Sequence, residues 1–171
     1  CETTELDLTV NPNALNPAQA STDLFINNIQ EDFASFVDNM GDVGARLTRV
    51  AYLGGDRMYR DNYSPGSFSG LWSTAYQGMM EDIRLMNILA AENGLTYYIG
   101  MGQVMQAYIM LSLVDYFGDV PYTEALQGSE NLNPAADSGQ SVYNAAIGLL
   151  DSAISNFNQG GATPQYDMYY G

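Results

Sequence analysis

The chain has 171 residues, with 20 acidic side chains against five basic ones, no histidine and a net charge of −15. All five bases are arginine (Arg46, Arg49, Arg57, Arg60 and Arg84), and so negative a chain without a basic patch excludes nucleic acid as a partner. Without His or Lys there is no Ser-His-Asp or Cys-His catalysis, no histidine zinc site and no Schiff-base lysine, which leaves paired carboxylates as the common catalytic chemistry still open.

The lone cysteine is Cys1, so no disulfide forms within the chain. A chain that opens on Cys rather than Met is expected to be processed, and a lipid-bearing N-terminal cysteine is one reading of it, a cloning boundary the other. Residues 1–15 are polar, with apolar groups only at intervals, and are expected to form a tether.

The first helix is expected from Asn16, with Pro17 at its first position and Gln19 completing a capping box. Its apolar stripe is Phe25, Ile29, Phe33, Phe36 and Met40, and Gly41 is the expected stop. Residues 41–66 keep no sustained period and read as a loop, with a short helix around 44–52. Within that loop Tyr59, Arg60, Asp61 and Tyr63 lie outside any apolar stripe. They are candidate ligand contacts, although loop aromatics more often anchor a loop to its core.

The second helix is expected from Ser67–Ser69 to Asn93–Gly94, on a stripe of Trp72, Tyr76, Met79, Ile83, Met86 and Ala90. Trp72 reads mainly as core, though near the helix start it can reach the mouth of a ligand site. The methionines Met79, Met86, Met101 and Met105 read as core filler, and the acidic pairs Glu31-Asp32 and Glu81-Asp82 as solvent-facing. The third helix, about Thr96 to Phe117, is apolar around most of its circumference, which places it centrally. Gly100, Gly102, two glutamines and Asp115 favour a core helix over a membrane span. The fourth is expected to open at Asp137 with Gln140 in a capping box, to bury Tyr143, Ile147, Leu150, Ile154 and Phe157, and to stop at Gly160-Gly161.

From the end of the third helix into the turn after it runs LVDYFGDVPYTEAL, which carries Asp115, Asp119 and Glu124. The residues there serve the turn itself. Gly118 ends a helix, Pro121 forces Val120 into an extended conformation, and Asp119 accepts turn amides. A structural corner is therefore expected rather than a carboxylate active site. No metal-binding loop of Asp-x-Asp-x-Asp-Gly form is present and no metal ligand or cofactor is singled out, while so acidic a chain leaves calcium as an open alternative. The closing residues, ATPQYDMYYG, are too apolar for a free tail, and the chain is expected to be part of a larger domain.

The segments LWSTAYQGMMEDIRLMN, GQVMQAYIMLSLVDYFGDVPYTEAL, NPAADSGQSVY and AAIGLLDSAISNF, in this order, resemble the SusD/RagB family of outer-membrane nutrient-binding lipoproteins. The family's Asp-x-Phe-Gly-Asp-x-Pro-Tyr string is matched by Asp115, Phe117, Gly118, Asp119, Pro121 and Tyr122, preceded by Trp72 and Tyr76. Ala135-Ala136 departs from the aromatic or acidic residue that many members carry before the Asp of the fourth helix. The resemblance implies an all-α fold of tetratricopeptide-type helix pairs over residues 16–171, as the N-terminal part of a longer domain. It implies Cys1 as the lipid anchor at the cell surface, and no enzymatic activity. The implied partners are an oligosaccharide or peptide ligand and a SusC-type TonB-dependent barrel. A helical scaffold subunit without a ligand of its own is the alternative.

Overall fold

Ser21 opens the first helix, α1 (Thr22–Leu47): its backbone is extended and its hydroxyl accepts the Leu24 amide at 3.2 Å. The helix thus opens at Ser21, later than expected, and the expected cap Asn16 lies outside the described residues. The computed structural model describes residues 21–51 and 64–169, so the expected tether at 1–15 lies outside the described residues. The helix also runs past Gly41. Gly44 leaves room there for the Tyr116 ring, whose hydroxyl donates to the Met40 carbonyl at 2.7 Å, and a salt bridge of 2.8 Å from Arg46 to Asp42 supports the last turn. What reads in sequence as a separate short helix around 44–52 is partly this continuation. On the buried face Ile26 and Gln30 join Ile29, Phe36 and Met40, while Phe25 and Phe33 are half-buried.

The second helical run is not one regular helix. It begins as a 3-10 turn at Pro65–Phe68, becomes α2 (Ser69–Ser73), passes through a π-helical stretch at Thr74–Met80 and continues as α3 (Glu81–Glu92). Met79, Ile83, Met86 and Ala90 are buried as their spacing predicts. Gly94, with φ 68°, ends the run, and α4 (Thr96–Phe117) returns antiparallel after a three-residue link.

Helix α4 is the centre of the molecule. It packs on α5, α3 and α1, with Met105, Ile109, Met110 and Leu113 buried. Helix α5 (Gly139–Asn158) lies antiparallel to it, with Phe157 over Gly100 at one end and Gly139 against Val114 at the other. The cap of α5 is Ser138, whose Oγ accepts the Ser141 amide at 3.3 Å, and not Asp137, whose carboxylate is occupied elsewhere.

The expected core stripe of α5 is corrected as well. Val142, Ala146 and Ala153 are buried, whereas Ile147 and Ile154 are 53% and 58% exposed. Close approach of two helix backbones selects the small residues for the contact and leaves the larger ones outside. Gly160 and Gly161, at φ 71° and 116°, stop the helix. The segment after them is held to α1 by Gln30. Its buried amide donates to the Tyr166 carbonyl at 3.3 Å and accepts the Met168 amide at 2.8 Å, while its backbone carbonyl accepts the Tyr169 hydroxyl at 2.8 Å.

The fold is all-α, built of antiparallel helix pairs stacked side by side. Among the described residues, the extended pairing is a single antiparallel bridge between Val120 and Asp137. No helix among them is long and apolar enough to cross a membrane.

Candidate ligand site

The corner after α4 is built from side chain to backbone. Gly118 takes φ 79°, a conformation that a side chain opposes, and turns the chain out of the helix. Val120 is fully buried and exchanges two backbone hydrogen bonds with Asp137, of 3.2 and 3.0 Å. Asp119 Oδ1 accepts the Gly139 amide at 2.9 Å, at the N-terminus of α5, where a carboxylate is favoured by the helix dipole.

The Asp137 carboxylate accepts the amides of Tyr122 and Thr123 and the Thr123 hydroxyl, at 2.9, 2.8 and 2.8 Å. The Thr123 bonds, with the Tyr122 amide adding to them, hold its carboxyl below the usual range. Asp115 accepts the Tyr143 hydroxyl at 2.5 Å and thereby ties α4 to α5. The acids of this corner thus have partners that fix backbone or helices.

The corner faces the π-helical stretch, and the candidate site lies between them. Trp72 and Tyr76 stack with centroids 5.2 Å apart and ring planes 4° from parallel. Phe117 leans on Trp72 at 5.2 Å, and Phe68 meets Phe117 edge-on. The Tyr76 hydroxyl donates to the Pro121 carbonyl at 2.7 Å, which locks the helix to the corner. Burial, with the Asp137 charge as a second cause, pushes the Tyr76 phenol far up, so it stays a neutral donor.

Two cavities meet at Tyr76 and Leu126. An apolar cup of about 270 Å³ is lined by Trp72, Tyr76, Pro121, Ala125, Leu126 and Pro134. Beside it, a polar groove of about 580 Å³ is lined by Tyr76, Gln77, Glu81, Arg84, Leu126, Gln127, Gly128 and Glu130. In the groove Arg84 donates from Nε and Nη2 to the two oxygens of Glu81, at 2.9 and 2.6 Å. That fork holds the Glu81 carboxyl low and the pair ionised. An aromatic wall beside hydroxyl-matching amides and carboxylates suits a polyhydroxylated ligand.

A further groove of about 570 Å³ opens between α1, α4 and the segment around Tyr169. It is lined mainly by Phe33, Val37, Met101, Val104 and Tyr108. Tyr97, Asp167 and Tyr169 add the polar groups of an otherwise apolar lining.

Of the residues singled out in sequence, Trp72 lies in the candidate site, half-buried. Phe117 and Pro121 pack or bond against its walls, and Gly118 and Asp119 position the corner behind it. Tyr122 is half-buried behind the same wall, against the core, and burial raises its phenol. Cys1, Tyr59, Arg60, Asp61 and Tyr63 lie outside the described residues. Among the described residues no group of three or more acids or cysteines is placed to hold a metal.

Sequence reasoning missed Gln77, Glu81, Arg84, Gln127 and Glu130. A signal was present for three of them, because residues 77, 81 and 84 recur at helical spacing and share one face. The other two come from the loop after the corner, which carries no periodicity.

Residues 12–171 match the model of the SusD-like family described as starch-binding and associating with the outer membrane. A search of curated proteins gives no match. Among solved structures, the chain is similar to a crystal structure of a SusD/RagB family protein from Bacteroides thetaiotaomicron, with a TM-score of 0.62 and 23% identity over 80% of this chain. The match covers 30% of that structure's chain, so this sequence spans less than a third of its length. With the family model matched over nearly the whole sequence and the helix pairs superposing on a family structure, the chain belongs to the SusD-like family.

Proposed function

We propose that this chain is part of a cell-surface nutrient-binding lipoprotein, anchored through Cys1, that captures an oligosaccharide and delivers it to a SusC-type TonB-dependent barrel. Residues 1–15 act as the tether, and the helical body from residue 16 carries the site. The observation that carries the ligand class is the junction at Tyr76. There the stacked Trp72–Tyr76 pair opens on one side to an apolar cup and on the other to Gln77, Glu81, Arg84, Gln127 and Glu130. Sugars present apolar C–H faces and hydroxyl edges, and this junction offers a partner to each. A peptide ligand finds no open strand edge here among the described residues, since the one bridge is closed by Asp137. The role is binding and transfer, with no covalent step.

The protein purified from outer membranes tests this directly. Intact mass is expected to show acyl groups on the peptide that begins at Cys1, a large β-barrel is expected to co-purify, and Trp72→Ala is expected to weaken glycan binding at least tenfold. Recovery of the barrel with no glycan binding to the wild-type protein would replace this reading with that of a ligand-free helical scaffold. Recovery without acyl groups or barrel would remove the delivery role.

A further inference from the structure

The groove beside Tyr76 has a charge balance that discriminates among glycans, an inference that rests on the reading of this surface as a glycan site. We propose that it selects uncharged oligosaccharides and turns away those bearing carboxylate or sulfate, with Glu130 and the Glu81–Arg84 pair setting the preference.

Three charged side chains line the groove: Glu81, Arg84 and Glu130. Arg84 is its cation, and two of its donors are committed to Glu81 in a fork. A bidentate pair of this kind is neutral as a unit, so Arg84 brings no net positive charge to the groove while its remaining N–H groups still serve as donors. Glu130 then leaves the groove with one net negative charge. Asp137 lies behind the shared wall, close enough for its charge to raise the phenols of both Tyr76 and Tyr122.

The chain as a whole carries −15, but at physiological salt charges more than about 8 Å away are largely screened. The local residues therefore decide. An anionic sugar in the groove meets the charge of Glu130, which the Glu81–Arg84 pair does not offset, and this is how a site turns away a near-isostere. A neutral sugar meets the amides of Gln77 and Gln127, while the remaining lone pairs of Glu81 and the free N–H groups of Arg84 present acceptors and donors side by side.

The test is a panel of neutral, uronic-acid-bearing and sulfated oligosaccharides presented to the protein purified from outer membranes, beside two variants at these partly exposed groove positions. Wild type is expected to bind members of the neutral set and to bind acidic members of equal length at least tenfold more weakly. Glu130→Gln is expected to raise the ratio of acidic to neutral binding by about three- to tenfold, the size of one screened charge at contact range. Arg84→Gln, which frees the Glu81 charge, is expected to lower the same ratio.

Acidic members bound as tightly as neutral ones, or a ratio that fails to move in opposite directions in the two variants, would overturn the selectivity while leaving glycan capture in place. Binding of no glycan at all would overturn both the capture reading and the selectivity built on it.

Discussion

Asp119 and Gly139 stand twenty residues apart in the chain, yet the carboxylate of one accepts the first amide of α5 from the other at 2.9 Å. One side chain at the end of one helix therefore sets where the next begins. Replacing a side chain that satisfies an N-terminal helix amide typically costs about 1 kcal/mol. Asp119→Ala is expected to lose roughly that amount in urea unfolding, and Asp119→Asn to lose less. Equal stability of wild type and Asp119→Ala would mean that water replaces the contact without loss.

The second acid of the corner gives a pH signature. The Asp137 carboxyl is depressed by the bonds from Thr123 and Tyr122, so the folded state favours its ionised form. A depressed acid contributes stability that is complete above its unfolded value, near 3.9, and is lost as pH falls through its folded value. Asp137→Asn should flatten the acid limb of the melting-temperature profile below about pH 4.

Asp32 runs the other way. Burial, with the Glu31 charge as a second cause, raises its carboxyl, and Gly78 of the π-helical stretch approaches it closely. For an acid raised in the folded state, stability is greatest below the unfolded value and declines as pH rises through the folded one. At neutral pH the Asp32 charge therefore opposes folding. Asp32→Asn is expected to raise the melting temperature at pH 7 and to leave it nearly unchanged at pH 3, which a pair of thermal scans would check.

Helix α4 meets α5 at Gly100, where a methyl group would come within 2.6 Å of the Phe157 ring. Overpacking of this kind costs about 1–3 kcal/mol, against which the helix propensity of alanine returns at most about 1. Gly100→Ala is thus expected to destabilise by roughly 1–2 kcal/mol in denaturant unfolding, and pairing it with Phe157→Leu should recover part of that loss.

The outer face of α5 supports a prediction about the 171-residue chain by itself. Ile147 and Ile154 are more than half exposed, and Tyr143 on the same side is 37% exposed. An apolar stripe of this kind promotes self-association. The isolated chain is expected to sediment as oligomers, and Ile147→Lys with Ile154→Lys to shift it toward monomer. A wild-type chain that sediments as a monomer with a cooperative melt would count against this.

The same stripe shows where sequence reading reaches its limit. Hydropathy alone turns Tyr143, Ile147, Leu150, Ile154 and Phe157 of α5 inward, yet Leu150 and Phe157 are half-buried, Phe157 over Gly100, while Ile147 and Ile154 face outward. In the middle of the contact with α4 size decides, and the small Ala146 and Ala153 are buried there in place of Ile147 and Ile154. Helix α4, by contrast, is fully legible: its apolar run and Gly118 mark both its central position and its end.

Other misses have equally local causes. Asp137 and Ser138 are adjacent residues able to cap, and only the demand of the Thr123 and Tyr122 amides decides between them. Gly41 reads as a helix stop, yet the helix runs on to Leu47, and Gly44 within that extension leaves room for Tyr116 to bond the Met40 carbonyl. The π-helical stretch leaves no trace in a period that Met79, Ile83 and Met86 keep unbroken.

The bridge between Val120 and Asp137 has a consequence for how such a surface can diversify. Everything between its two ends hangs from a closed base, and that stretch holds Leu126, Gln127, Glu130 and Pro134, which form the far wall of both cavities. The helices are joined below the bridge, and of these side chains Leu126 alone packs against their core. Mutation, insertion or exchange of residues in the stretch can therefore rewrite ligand preference while the scaffold keeps its register, so new specificities are open to this architecture without a new fold.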